Sequence, residues 1–152
     1  MNVSIRNGIM NDKKDLFELN KKCLPIYYSE FEHFYMLISK EYITIVVEFD
    51  KKLIGYLIGK INNVNFHILS IGIDENYRNK GIGSLIIQKL QNDLLKTQNE
   101  TISLYVHMEN EIAIKFYKKN GFHKKEKMRN YYKNSLKANS QDALKMIKNI
   151  KI

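Results

Sequence analysis

Residues 77–90, YRNKGIGSLIIQKL, place an arginine, a lysine and two glycines directly before an apolar run of helical period. Just upstream, NFHILSIGI at 65–73 has the β-rich composition of a strand. A chain that passes from strand to helix through such a corner is committed to a sheet with a helix on its face. Gly81 and Gly83 permit backbone conformations and a close approach that side chains forbid. The helix that follows opens with unpaired N–H groups and the positive end of its dipole, and with Arg78 and Lys80 this makes a seat for phosphate. Spacing rejects two phosphate loops: a dinucleotide fingerprint needs glycine where Ile86 stands, and the Gly-Lys-Ser/Thr of a P-loop is absent. R-x-x-G-x-G, Arg78 to Gly83, is what remains, beside the plainer reading of a glycine-rich turn with incidental charge.

The remaining segments alternate in the same way. VSIRNG is a short strand, DKKDLFELNKK (12–22) a helix with Leu16, Phe17 and Leu19 at helical spacing, and Pro25, the only proline, breaks it. Ser29 and Glu32 stand in capping-box relation at the start of a second short helix. YITIVVEF and LIGYLIGKI form a hairpin across Asp50, Lys51 and Lys52, and Asn62 and Asn63 turn the chain into the strand at 65–73. A helix over 84–96 would align Leu85, Ile86, Leu90, Leu94 and Leu95. TISLYVHM is then a strand, NEIAIKFYKKN a helix capped by Gly121, and GFHKKEKM and DALKMIKNI are lysine-interrupted strands. The pattern predicts an α/β (α+β) fold, an antiparallel meander joined to a βαβα unit. Its 152 residues suit one domain, 1–152.

Composition narrows the function. No window approaches a membrane span, the N-terminus lacks a signal-peptide core, and a lone Cys23 supplies neither a disulfide framework nor a thiolate cluster for metal. These features predict a cytoplasmic protein without a metal. The net charge of +9 is unevenly placed: residues 115–152 carry twelve Lys/Arg against Glu126 and Asp142, whereas residues 1–114 carry thirteen against fourteen acids. Such a basic quarter suits a polyanion, and equally a merely solvated face.

A second motif stands downstream. NEIAIKFYKKNGF, residues 110–122, is a short helix that turns Ala113, Phe116 and Tyr117 inward before a glycine and an aromatic strand start. With it the chain resembles the GNAT superfamily of acetyl-CoA-dependent N-acetyltransferases. In that family R/Q-x-x-G-x-G/A binds the cofactor pyrophosphate, and N-x-x-A-x-x-F-Y-x-x-x-G-F lies beside pantetheine and thiol. The resemblance spans roughly residues 3–149. CLPIYYSEFEHFY looks like the substrate loop of NatE-type catalytic subunits, and MRNYYKNSLKANSQDALKM resembles the paired-tyrosine hairpin that these share with bacterial ribosomal-protein alanine acetyltransferases.

The resemblance implies a GNAT fold of six to seven mostly antiparallel strands and about four helices, splayed at the centre, with acetyl-CoA as cosubstrate and no metal. It assigns Arg78, Asn79, Lys80, Gly81, Ile82, Gly83 and Ser84 to the pyrophosphate. Backbone groups of Ile71 and Ile73 face the acetyl carbonyl and pantetheine, Asn110 binds the cofactor or caps its helix, and Tyr117 approaches the sulfur. Leu24, Pro25, Ile26 and Tyr28 form one wall of a peptide site, Tyr131 and Tyr132 the other; Pro25 also reads as a helix stop and the tyrosines as strand packing. His67 stands where the NatE-type pattern has a tyrosine, and Tyr105 where it has a histidine, so a His/Tyr pair holding a water survives with its members exchanged. Bacterial relatives tend to carry glutamate at the Tyr105 position. His107, on the same strand face as Tyr105, is the backup base, and His33 and His123 are bystanders. Direct transfer in a ternary complex is preferred over an acyl-enzyme on Cys23. The implied partners are a peptide or protein N-terminus, with a ribosome or auxiliary subunit beside it and a monomer or weak dimer as the assembly. A GNAT acting on small amines or lysine side chains, or an RNA-binding module with an idle site, are the competing expectations.

Overall fold

A computed structural model describes residues 1–132 and 142–151. Among these, seven strands form one sheet in the order β1-β2-β3-β4-β5-β7-β6. The strands are β1 (Ser4–Asn7), β2 (Tyr42–Phe49), β3 (Lys52–Asn62), β4 (Asn65–Ile73), β5 (Thr101–His107), β6 (His123–Met128) and β7 (Ala143–Asn149). Helices α1 (Lys13–Cys23) and α2 (Glu30–Ile38) lie on one face, α3 (Ile82–Leu94) and α4 (Glu111–Lys119) on the other.

Local chemistry explains the boundaries. Asp50 and Lys51 adopt φ of 52° and 62°, the left-handed pair of a two-residue hairpin, and Lys52 therefore joins β3. α1 ends at Cys23, with Leu24 extended ahead of Pro25, as a residue before proline should be. Ser29 caps α2 reciprocally with Glu32. Gly121 leaves α4 at φ 93°.

Two buried clusters hold the layers. Leu16, Leu19 and Met36 meet Val46, Tyr56 and Ile58 on the α1–α2 side. Ile82, Ile86, Ile87, Leu90 and Leu94 meet Ile45, Leu57, Phe66 and Leu104 on the other. The sequence places the inner stripe of α3 through Leu85 and Leu95, and both are instead half exposed, at 47% and 48%. The buried stripe runs through Ile82, Ile86, Ile87, Leu90 and Leu94, and Leu85 and Leu95 each stand one residue beside it, about 100° round the helix and away from the sheet.

Every neighbouring pair is antiparallel except β4–β5, which is parallel and short: Asn65 to His67 against Thr101 to Ser103. Beyond those three residues the strands separate, and the cleft described next opens there. β4 also carries a bulge at Leu69, the residue left over between the Ser70–Ile58 and Ile68–Gly59 pairs.

Candidate active site

The splay turns backbone groups toward the gap. Asp74 N–H bonds Ile54 C=O, so the hydrogen-bonded positions of β4 against β3 are 74, 72 and 70. Ile71 and Ile73 consequently point their amides and carbonyls away from β3, where β5 no longer pairs. Arg78 Nε takes up the Ile73 carbonyl at 3.0 Å. On the far side, Met108 N–H bonds Asp142 C=O, which by the same alternation aims the backbone of Tyr105 and His107 into the gap.

Two cavities meet at this splay. One, about 580 Å³, is lined by Ile71, Ile73, Arg78, Asn79, Gly81, Ile82, Gly83 and Ser84, with Asn110 and Tyr117 at its inner end. The other, about 710 Å³, runs between the α1–α2 loop, through Leu24, Pro25 and Ile26, and Tyr105, His107, Tyr131 and Tyr132. Leu24, Ile71, Asn110, Ala113 and Tyr117 line both, so they are halves of one cleft.

The first half is made of backbone. Asn79 and Gly81 have φ of 62° and 80°, and α3 begins on Gly81 with no side-chain cap. The first intrahelical bond is Leu85 N–H to Gly81 C=O. The amides of Ile82, Gly83 and Ser84 therefore project from the helix mouth beside Arg78, a donor set suited to phosphate oxygens. The two glycines serve different ends: a Cβ on Gly81 would meet nothing within 4 Å, whereas one on Gly83 would stand 2.8 Å from Phe116 Cζ. Gly81 supplies a turn, and Gly83 lets α4 approach α3. Lys80 is exposed and outside the lining, while Tyr77, Cys23 and Lys119 join it without having been expected. Cys23 has its thiol pushed up, mainly by burial, which disfavours a thiolate nucleophile.

The second half is made of rings. Tyr105 stacks on Tyr131 at 4.6 Å between centroids, His107 on Tyr132 at 5.2 Å, and Tyr131 meets Tyr132 edge-on. His67 lies 5.0 Å from Tyr105, so the exchanged pair does share one face, but His67 stands behind Tyr105 and is not on the cleft wall. Its Nδ1 is paired with Ser103 Oγ at 2.8 Å. Burial, and secondarily Lys145, lowers its pKa and keeps the ring neutral at pH 7. Tyr117 is buried and its phenol pushed well up by burial, so it stays protonated.

His107 differs from the expectation of a base. Its Nδ1 accepts the backbone N–H of Glu109 at 3.1 Å, which puts the proton of the neutral ring on Nε2. Nε2 is buried and makes no hydrogen bond among the described residues.

Tyr28 lies outside the main lining and edges a separate small pocket. What holds the α1–α2 loop is a buried network that sequence reading missed. Asn20 Oδ1 accepts Tyr28 N–H at 2.9 Å and pairs with His33 Nε2 at 3.1 Å; its Nδ2 donates to Tyr56 Oη at 2.8 Å, which pairs with Ser70 Oγ at 2.8 Å. A buried Asn on the inner stripe of α1 was the available signal, since such a side chain must find partners. His33 is thus structural, and burial lowers its pKa.

Residues 13–122 match the acetyltransferase (GNAT) family. The chain belongs to that family. It is an N-acetyltransferase, and its splayed sheet is the GNAT architecture. An N-alpha-acetyltransferase of Sulfurisphaera tokodaii is 31% identical over 93% of this chain and 90% of its own length. The one from Saccharolobus solfataricus is 28% identical over 94% and 90%. In fold, the ribosomal-protein-S18-alanine N-acetyltransferase of Escherichia coli superposes with a TM-score of 0.89 at 21% identity, over 99% of this chain and 96% of that one. Among the described residues no His, Cys, Asp or Glu group could hold a metal, and no helix is long and apolar enough to cross a membrane. Residues 133–141 of the hairpin stretch lie outside the described residues.

Proposed function

We propose that this GNAT enzyme transfers acetyl from acetyl-CoA to the N-terminal α-amine of a protein or nascent peptide, in the cytoplasm, by direct attack in a ternary complex. The observation that carries it is the two-sided cleft, a phosphate seat on one side of the splay and a ring-lined peptide wall on the other, joined at Tyr117.

Arg78 and the α3 amides hold the pyrophosphate, with Asn79, Gly81, Ile82, Gly83 and Ser84 forming the turn around it. Asn110 takes the structural option, its Oδ1 accepting Ala113 N–H at 3.1 Å, and so fixes α4 against the cofactor. Acetyl-CoA supplies the thioester carbonyl. The Ile71 and Ile73 amides aim at the oxygen on which negative charge develops, and they need no reorganisation to do so. A peptide α-amine, with an ordinary pKa of about 7.7–8.0, needs only a modest base. Tyr105 presents its hydroxyl to the cleft, and His67 behind it accepts the amine proton through Tyr105 or a water. Tyr117, kept protonated, hydrogen-bonds the departing thiolate.

Leu24, Pro25 and Ile26 receive the first side chain, while Tyr131 and Tyr132 bond the peptide backbone. Burial and the neighbouring Tyr131 push the Tyr132 phenol up to about 12, so it too is a donor at neutral pH. His107 stacks on Tyr132 and holds that ring in the peptide wall. On the outer edge, β6 exposes Lys124, Lys125 and Lys127, a surface suited to ribosomal RNA.

Turnover against peptides with varied first two residues, beside spermine and a lysine peptide with a blocked N-terminus, tests the reading. Free N-termini should be acetylated fastest; preference for the blocked peptide overturns the substrate class.

A further inference from the structure

On the peptide side of the sheet, between α2 and β2, lies a pocket of about 190 Å³, the size of one side chain rather than of a ligand. We propose that it is a subsite for a lysine or arginine side chain of the acceptor peptide, downstream of the reacting N-terminus. The proposal rests on the peptide reading above and adds a specificity to it.

Continuity is the first argument. Leu69 lines both this pocket and the peptide half of the cleft. It does so because it is the bulge residue of β4, pushed out of the ladder and 38% exposed, so it forms a threshold that an extended peptide must cross. Tyr28 borders the pocket with its amide tied to Asn20. A chain that leaves the Tyr131 wall across Leu69 arrives at this pocket.

Chemistry is the second. The walls present four rings, Tyr28, Phe31, Tyr35 and Tyr42, and one carboxylate, Glu32. Aromatic faces and a carboxylate attract a cation, and the aliphatic stem of lysine or arginine matches the apolar remainder. Glu32 is placed rigidly, because as the third residue of the α2 capping box its Oε1 accepts Ser29 N–H at 2.9 Å. No described cation forms an ion pair with it. Lys60 sits 5.6 Å from the Tyr42 ring and is paired with Glu41 at 4.0 Å. The +9 of the chain does not oppose a basic guest here, since residues 1–114 carry a slight excess of acid.

The test uses the full-length enzyme, acetyl-CoA and peptides that share their first two residues, with one lysine moved through the next four positions of an alanine–serine background. At one position lysine or arginine should raise kcat/KM about five- to tenfold over alanine, through KM, and glutamate should lower it. Glu32→Gln preserves the capping box, so folding is retained. In it the lysine-to-alanine ratio should fall to within about twofold of unity, and Phe31→Ala should reduce the same ratio. Turnover with no positional preference, or a preference for leucine or phenylalanine over lysine, overturns the subsite and leaves the acetylation reading standing. No turnover on any free-amine peptide overturns both.

Discussion

The two halves of the cleft are built from different materials. The phosphate half consists of backbone: three helix-mouth amides, two left-handed residues and the unpaired edge of β4. The peptide half consists of side chains: four rings on β5 and the loop after β6, facing a loop that Asn20 pins from below. A backbone site depends on what its residues lack. A ring-built site depends on what they present and on who supports them.

Substitutions should respect that division. The largest effect belongs to the ring side: Tyr105→Phe should lower kcat about 10²-fold or more, and His67→Phe, one step removed, should lower it less. Unchanged kcat in both would remove the pair from the mechanism. On the backbone side, Gly83→Ala forces Phe116 aside and should cost about 1–3 kcal/mol by overpacking. Gly81→Ala meets no neighbour and should cost about 1–2 kcal/mol through its φ alone. Thermal unfolding with and without acetyl-CoA separates these, and a Gly83 variant as stable as wild type would break the packing argument.

Asn20→Ala crosses the division. Leaving Tyr28 N–H and Tyr56 Oη short of partners should cost about 1–3 kcal/mol and raise the peptide KM, with the acetyl-CoA KM unmoved. A matching rise in both would show that the loop is not an independent support. The smallest effect is expected of His107→Phe, which keeps a ring on Tyr132: peptide KM and kcat should both stay within about twofold. Loss of kcat instead would return His107 to the role of base.

pH probes the same side. His33 and His67 have folded pKa values depressed by burial. The unfolded chain therefore binds more protons below about pH 6.5, and stability is full above that value and falls as pH drops through the window beneath it. Chemical unfolding from pH 7.5 to 5 reads this; a flat profile would mean that neither ring is held neutral.

The same contrast explains what was legible in advance. Arg78 and Gly81 are written within six consecutive residues, because a helix mouth is local. The nearness of His67 and Tyr105 was also readable, as each occupies a defined register on adjacent strands. The failures are non-local. Gly83 answers to Phe116, thirty-three residues away; His107 loses its lone pair to a backbone amide that no pattern displays. Tyr28 is turned aside by Asn20, which reads as one more polar residue on α1. Leu85 faces outward because neighbouring residues on a helix stand about 100° apart, so an apolar residue beside the inner stripe leaves the core.

The central claim is that the acceptor is a peptide α-amine held across the ring wall. The most direct measurement is tandem mass spectrometry of one peptide, bearing both a free N-terminus and an internal lysine, after incubation with the enzyme and acetyl-CoA. The account predicts the acetyl group on the α-nitrogen, with the lysine unmodified. Acetyl on the lysine side chain, with the N-terminus free, would contradict it.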